Sequence, residues 1–442
     1  MESLIEKASN ILKKLGVDGY DIFGVEGKGS TIEVKKGEVE KIKASSSQGI
    51  AIRVLSNGQM GFAYTNDVSE DGIRIAIECA KENSKVSEPD DYIFSSPQEN
   101  FFDVILEDPE FEKIPTERKI SLALELEERA KSYDRRVDKV RKASYSDGKS
   151  TVYYLNSNGH SFKYKTTSYS LSISLTAREG EEAQSGWDYQ SARFFNELNP
   201  SEVASGAVIS AVELLGAKPL KTMRVPVIFK NTVFAEIIET LSSAFLGHNV
   251  LRGKSLFKDK LGREVASRSL TIYDDPFQKE GLGSCPFDDE GTATRKKPII
   301  ERGVLKNFLL DLYTARKLKM EPTGNGIRAS VGSPPTCGIT NLVVERGALR
   351  LEEMIKTPKE VILITDAMGI HTINPISGEF SIGINGIYFN DGEKVSPVSK
   401  MTVAGNIKEL LKGITEVGAD VKWMGNVCSP SVLIKELTVS GE

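Results

Sequence analysis

The sequence predicts an α+β protein: an N-terminal α/β region of helices with small antiparallel sheets, then a β-rich C-terminal domain, sheet-like or barrel-like. Three observations carry this expectation. Up to about residue 216, stretches with helical spacing of apolar residues alternate with short strand-like runs. Tyr169, Leu171, Ile173 and Leu175 alternate with Ser168, Ser170, Ser172 and Ser174, the period of two that marks a half-buried strand. Beyond residue 217, apolar runs separated by glycine turns dominate. The expected divisions are 1–90, 110–216 and 217–442.

Taken in order, Leu4, Ile5, Ala8, Ile11, Leu12 and Leu15 recur at helical spacing, and Gly16 is a stop signal. Ile32 and Val34 alternate before a Lys36-Gly37 turn, and Ile50 to Leu55 turns at Asn57-Gly58 into Met60 to Tyr64. Asp67 and Glu70 have capping-box spacing ahead of a helix bearing Ile73, Ala76, Ile77 and Ala80. Polar, acidic and proline-bearing residues from about 83 to 109 read as a linker. A helix is expected over 115–131, then strands with turns at Asp147-Gly148 and Asn158-Gly159, then a helix over 200–215 that stops at Gly216. In the third segment Val225, Val227 and Phe229 open a strand. A helix follows, with Phe234, Ile237, Ile238, Leu241, Ala244 and Phe245 on its apolar side. Further strands are expected near 270–273, 299–300, 305–310, 342–345, 361–365, 380–384 and 432–439, with turns at Arg302-Gly303 and Asp391-Gly392.

With 442 residues the chain can bury more than one core, and 39% hydrophobic and 27% charged residues are ordinary for a globular protein. A formal net charge of -5 argues against a general nucleic-acid binder, so no direct nucleic-acid partner is expected. Glu2 and Glu6 interrupt any signal-like apolar run, and no run approaches the ~20 residues of a membrane span. The expectation is a cytoplasmic chain with no membrane partner. Cys79, Cys285, Cys337 and Cys428 are far apart with no CxxC, so buried free thiols are the plainer reading.

Chemistry is sparse. His160, His248 and His371 are too scattered to form the paired imidazoles of a helical zinc motif. There is no phosphate-binding loop and no nucleophile elbow. Gly281-Leu282-Gly283-Ser284-Cys285 reads as a flexible loop, and Cys285 would be a nucleophile only with a histidine brought near by folding. Asp288, Asp289 and Glu290, closed by Gly291, form an acidic turn that lacks the ligand spacing of a calcium loop. The tract from Glu321 to Gly338 is a long irregular loop of the kind that carries function.

Two of these tracts carry a resemblance. FDDEGTATRKKPIIERGVLKNFLLDLYTARKL (Phe287 to Leu318), followed by EPTGNGIRAS (Glu321 to Ser330), resembles the TldD/PmbA family, in which a DDEG turn leads to a hairpin, an ARxL helix and a PTGN loop. The Gly49 to Phe62 hairpin fits as well, and the similarity spans the chain. TldD-like members resemble zinc peptidases with HExxxH on a C-terminal-domain helix and a distant cysteine ligand; PmbA (TldE) partners lack the histidines. Counting back from Leu251 to Phe257 places Ile238-Glu239-Thr240-Leu241-Ser242-Ser243 at the motif. Glu239 then marks the general-base position, and Cys428 marks the ligand cysteine.

The resemblance therefore implies a non-catalytic subunit with no metal or other cofactor of its own, partnered with a TldD-like zinc peptidase and forming a homodimer when alone. It implies intracellular proteolysis of small or unfolded peptides, held as an added β-strand. The family's older label, modulator of DNA gyrase, has no basic or helix-turn-helix signal behind it here. Asp288, Asp289, Gly291, Asn325 and Arg328 are the candidate peptide-binding residues, with Arg328 suited to a carboxylate. A stand-alone peptidase with an unrecognised site, around Cys285 or the acidic turn, is the alternative; a non-enzymatic peptide-binding or regulatory protein is a third reading.

Overall fold

The helical spacing of Ile5, Ala8 and Leu12 becomes α1 (Glu2–Lys14), which buries those three side chains in the computed structural model. The structure describes residues 1–98 and 104–441. Three long strands follow: β1 (Gly19–Lys35), β2 (Glu38–Ser56) and β3 (Gln59–Thr65). They are joined by turns at Lys36-Gly37 and Asn57-Gly58, where both residues of each pair have positive φ as tight hairpins require. α2 (Glu70–Ser84) is capped by Ser69, whose hydroxyl accepts from the Gly72 N–H at 3.1 Å. Asp67 is not the cap: its carboxylate accepts from the Ser69 N–H at 3.0 Å and shapes the turn before the helix. From residue 85 to 110 the described residues form no helix or strand, as expected of a linker; 99–103 lie outside the described residues. This segment is anchored, because Asp90 pairs with Lys317 and Asp91 with Arg316 of the C-terminal region.

After α3 (Thr116–Tyr133) come β4 (Val137–Asn156), β5 (Ser161–Glu179) and β6 (Glu182–Ala192), then α4 (Pro200–Val212). β1 pairs with β4, so the first two segments share one antiparallel sheet in the order β3-β2-β1-β4-β5-β6. The turn expected at Asp147-Gly148 is absent, and β4 runs straight through it. The Asp147 carboxylate accepts from the Ser30 N–H at 2.8 Å, the Ser30 hydroxyl at 2.7 Å and the Tyr145 hydroxyl at 2.9 Å. These bonds hold the dipeptide in the ladder. One sheet face buries Ile22, Ile52, Leu171 and Ile173 under the four helices. The other carries Phe23, Phe62, Tyr154, Phe162 and Tyr164 toward the C-terminal region.

The C-terminal region begins with β7 (Met223–Phe229) and α5 (Asn231–Leu241). Short strands follow: β8 (Ile272–Asp274), β9 (Lys297–Glu301), β10 (Val304–Leu305), β11 (Gly326–Ile327), β12 (Thr336–Cys337) and β13 (Leu342–Val344). The last are β14 (Glu360–Met368), β15 (Glu379–Asn390), β16 (Glu393–Asn406), β17 (Ile414–Val417), β18 (Lys422–Met424), β19 (Val427–Ser429) and β20 (Val432–Ser440). β7, β14, β15, β16 and β20 close into a barrel, because β16 and β20 pair at Thr402–Ser440 and Val403–Val439. Its inward residues, among them Val227, Ile364, Ile382, Val403 and Ile434, join the apolar side of α5 in one core. A second sheet, β10-β9-β8-β13-β19-β18, lies beside it. No helix among the described residues is long and apolar enough to cross a membrane.

Candidate functional site

Two regions hold the residues singled out from sequence. In the first, folding brings the acidic turn and the 321–338 loop together against the aromatic face of the N-terminal sheet. Phe287 stacks on Phe162 with ring centroids 4.5 Å apart and 13° between planes. Asp288 turns its carboxylate inward, accepting from the N–H groups of Glu290 at 3.0 Å, Thr292 at 2.8 Å and Gly326 at 2.8 Å. Asp289 accepts from the Arg328 N–H at 2.7 Å. Gly291 has φ +82, and a Cβ there would lie 2.6 Å from the Ser95 hydroxyl, so only glycine fits.

Glu290, which sequence reasoning placed in the turn without a role, is the connector. It accepts from Arg53 Nη1 at 2.8 Å and from the Leu312 N–H at 2.8 Å. Arg53 also forms a two-pronged contact with Asp21. Burial disfavours its charge, yet Asp21 and then Glu290 more than offset that and hold the guanidinium protonated. Asn325 is fully buried, donating to Asp274 at 3.0 Å and to the Gly338 carbonyl at 2.9 Å. Arg328 lies over the Phe23 ring at 4.9 Å and donates to the Ser333 carbonyl at 2.8 Å. The five candidate peptide-binding residues therefore do gather, but as a buried seam between the two halves of the chain. There Asp288 and Asp289 accept from the chain's own N–H groups and Asn325 donates to Asp274 and a carbonyl, while Arg328 Nε and Nη2 have no hydrogen-bond partner among the described residues.

The seam has a pH signature. Burial raises the Asp289 carboxyl from 3.8 to about 6, opposed by the Arg328 N–H and by the charges of Arg328 and Arg53. Between those values the folded protein binds this proton more tightly than the unfolded chain. Stability contributed by the protonated form is thus lost as pH rises through that window. Asp289→Asn, which keeps an acceptor for the Arg328 N–H, is expected to flatten the fall in urea midpoint between about pH 4 and pH 7. An unchanged slope would contradict the assignment.

The second region is α5. Ile238 is fully buried in the barrel core, and Ser243 lies in a short turn, donating to the Thr240 carbonyl at 3.1 Å. Glu239 points away from that core into a cavity of about 560 Å³, shared with Tyr189, Glu236, Thr240, His371 and Met424. α5 packs on β18 and β19, which places Cys428 close by. Burial, reinforced by Glu280, pushes the Cys428 thiol up to about 12. Zinc takes three protein ligands and an open position. Among the described residues no three of His, Cys, Asp and Glu gather as a metal-holding group. The residues at this helix do not fit the ion. His248, downstream, is partly buried with its pKa lowered by burial and then by Arg252. Cys285 is buried too, and burial followed by Asp289 and Asp288 keeps its thiol protonated, the opposite of an activated nucleophile.

Three family models cover most of the chain: the PmbA/TldA metallopeptidase domain 1 over residues 20–84, the central domain over 109–215 and the C-terminal domain over 222–441. The chain belongs to the PmbA/TldD family. Metalloprotease PmbA of Escherichia coli O157:H7 is 28% identical over 435 residues, covering 96% of this chain and 93% of that protein. The PmbA homolog of Haemophilus influenzae is 30% identical over 423 residues, 93% of this chain and 90% of that one. Among solved structures, a Thermotoga maritima protein carrying the DNA gyrase modulator label superposes with a TM-score of 0.91 at 31% identity, over 99% of this chain and 100% of that one. TldE of Thermococcus kodakarensis shares the fold, with a TM-score of 0.91 at 23% identity over 99% and 100% of the two chains. The family's members are peptidase-related by name, and the family resemblance read from the acidic turn and the 321–330 loop holds.

Proposed function

We propose that the chain is a PmbA/TldE-like, non-catalytic subunit of a TldD-type zinc metallopeptidase that processes small or unfolded peptides. One observation supports the reading: α5, the helix to which the resemblance assigns the HExxxH motif, carries no histidine. The resemblance assigns Glu239 to the base position and Cys428 to the ligand cysteine, and no imidazole stands on the helix beside them. This subunit would then act by shaping or gating a partner's site. A stable pairing of that kind buries at least ~1,000 Å² around an apolar centre.

The test has two parts. The purified chain is expected to carry no stoichiometric zinc and to cleave no peptide. Elemental analysis finding about one tightly held zinc per chain would sink the non-catalytic reading. Co-expression with a relative bearing an intact HExxxH is expected to give a complex whose peptidase activity exceeds that of the relative alone. A chain that forms no complex and adds no activity would instead be a binding protein in its own right.

A further inference from the structure

The turn between β1 and β2, the last turns of α3 and the start of β4 enclose a cavity of about 480 Å³. That size is within the range of small-molecule sites. Five cations line it: Lys35, Lys36, Lys131, Lys139 and Arg141. Two carboxylates share the wall, Glu127 and Asp138. In a chain of net charge -5, such a surplus of cations around one small space is a local reversal of sign. Val140 is the apolar contribution among the described residues, and no aromatic ring lines the space.

Both carboxylates are already engaged. Glu127 is buried; it accepts from the N–H groups of Lys36 at 2.8 Å and Gly37 at 2.9 Å, and it pairs with Lys131. Those bonds fasten the hairpin turn to α3, which fixes the base of the Lys36 side chain relative to Lys131. Asp138 pairs with Arg178 at 3.6 Å, and Lys35 has Glu40 at 3.6 Å. Among the described residues, no ion pair or side-chain hydrogen bond reaches the ammonium of Lys36 or Lys139. Arg141 donates to the hydroxyls of Thr176 at 3.0 Å and Ser185 at 3.1 Å, neutral partners that leave its charge uncompensated. Cations clustered on fixed walls concentrate anions, and ammonium and guanidinium groups give phosphate oxygens charge-assisted hydrogen bonds.

We propose that this cavity binds a small oligophosphate, a short chain of linked phosphates, at Lys36 and Lys139, with Lys35 and Arg141 at its rim. The uncompensated cations sit on two elements, the turn after β1 and the start of β4, so a ligand with several linked charges can meet both walls at once. Without a ring to stack on, recognition is of the anion itself. The site belongs to the N-terminal sheet and needs neither α5 nor a partner, so its failure would leave the subunit reading standing. The test is calorimetric titration of the full chain with tripolyphosphate, orthophosphate and adenosine triphosphate in metal-free buffer. Tripolyphosphate is expected to bind at a single site, about tenfold or more tighter than orthophosphate, and to weaken as salt is raised. Adenosine triphosphate is expected to match it.

Lys36→Gln with Lys139→Gln, both at exposed positions, is expected to weaken tripolyphosphate by about tenfold or more, the scale of losing charged hydrogen bonds. Lys258→Gln with Lys260→Gln removes the same charge from exposed positions of the C-terminal region and is expected to change nothing. Asp138→Asn is expected to tighten binding severalfold, a gain that a folding defect cannot produce. No binding of tripolyphosphate, affinity equal to that of orthophosphate, or equal losses in the two double variants would overturn the site and leave only diffuse attraction to charge. Unchanged or weaker binding in Asp138→Asn would contradict the part given to the cavity's charge. Adenosine triphosphate binding far more tightly than tripolyphosphate would mean recognition of a base. A short single-stranded oligonucleotide binding more tightly than either would make this a nucleic-acid surface. Each of these two outcomes would overturn the small-anion assignment.

Discussion

Arg53→Met is expected to cost about 3–5 kcal/mol of stability, the scale of breaking a buried ion pair by removing one partner. Asp21 is fully buried and Glu290 nearly so; Glu290 would lose its ion-pair partner, and of its cations Asp21 would keep only the longer contact to Arg328 Nη2 at 4.0 Å. The loss is also expected to change how the protein comes apart. Arg53 and Asp21 belong to the N-terminal sheet and Glu290 to the C-terminal region, so this contact couples the two. Urea unfolding followed by the two tryptophans and by circular dichroism should show one transition in the native chain and separated transitions in the variant. Adding Asp21→Asn and Glu290→Gln to Arg53→Met is expected to recover part of the stability, because neither carboxylate is then left buried without the Arg53 cation. A loss below about 1 kcal/mol would mean that the triad is as weak as a surface pair.

Gly61→Val is the second large effect expected. A Cβ at Gly61 would sit 1.9 Å from the Ala80 carbonyl oxygen and 2.6 Å from the Ser84 N–H, so α2 can lie on β3 only over a bare backbone. Both nearest atoms are backbone and cannot rotate aside. The helix must lift, and the cost should reach the upper end of the ~1–3 kcal/mol typical of overpacking. Ile73, Ala76, Ile77 and Ala80 would lose burial with it. Hydrogen exchange should show faster exchange across Glu70–Ser84, with a lowered melting temperature. Gly405→Ala is the control, since its Cβ would meet nothing closer than 3.4 Å. Equal melting temperatures for both variants would show that the close approach is dispensable.

What could be read from sequence follows from how local each signal is. The hairpin turns at Lys36-Gly37, Asn57-Gly58, Arg302-Gly303 and Asp391-Gly392 were legible because positive φ at both positions is a demand on two residues only. Asp147-Gly148 carries the same letters and lies mid-strand, because its bonds come from Ser30, 117 residues away in sequence. Residues 38–48 belong to β2 yet have no alternation, since their side chains are exposed throughout and nothing selects a buried face. The site divides the same way. The acidic turn and the 321–330 loop stood out as an ordered motif, but the partners that bury them, Asp21 and Arg53, are 237 or more residues from Glu290. Nothing in the sequence ties Lys36 to Lys139; their shared cavity comes from the packing of a hairpin turn beside α3 and β4.

The barrel's first strand, β7 (from Met223), is flanked by β14 and by β20, which start only at Glu360 and Val432 and so emerge from the ribosome much later. During synthesis β7 therefore waits, with α5 and its apolar side chains, for partners not yet made. The N-terminal sheet needs nothing beyond β6 and the helices to complete its own core, so it can settle first. The order of assembly is vectorial for one half of the molecule and postponed for the other. Contacts that distant also make closure slow. A nascent chain stalled before residue 432 would thus present a finished N-terminal fold and an unclosed, aggregation-prone C-terminal one.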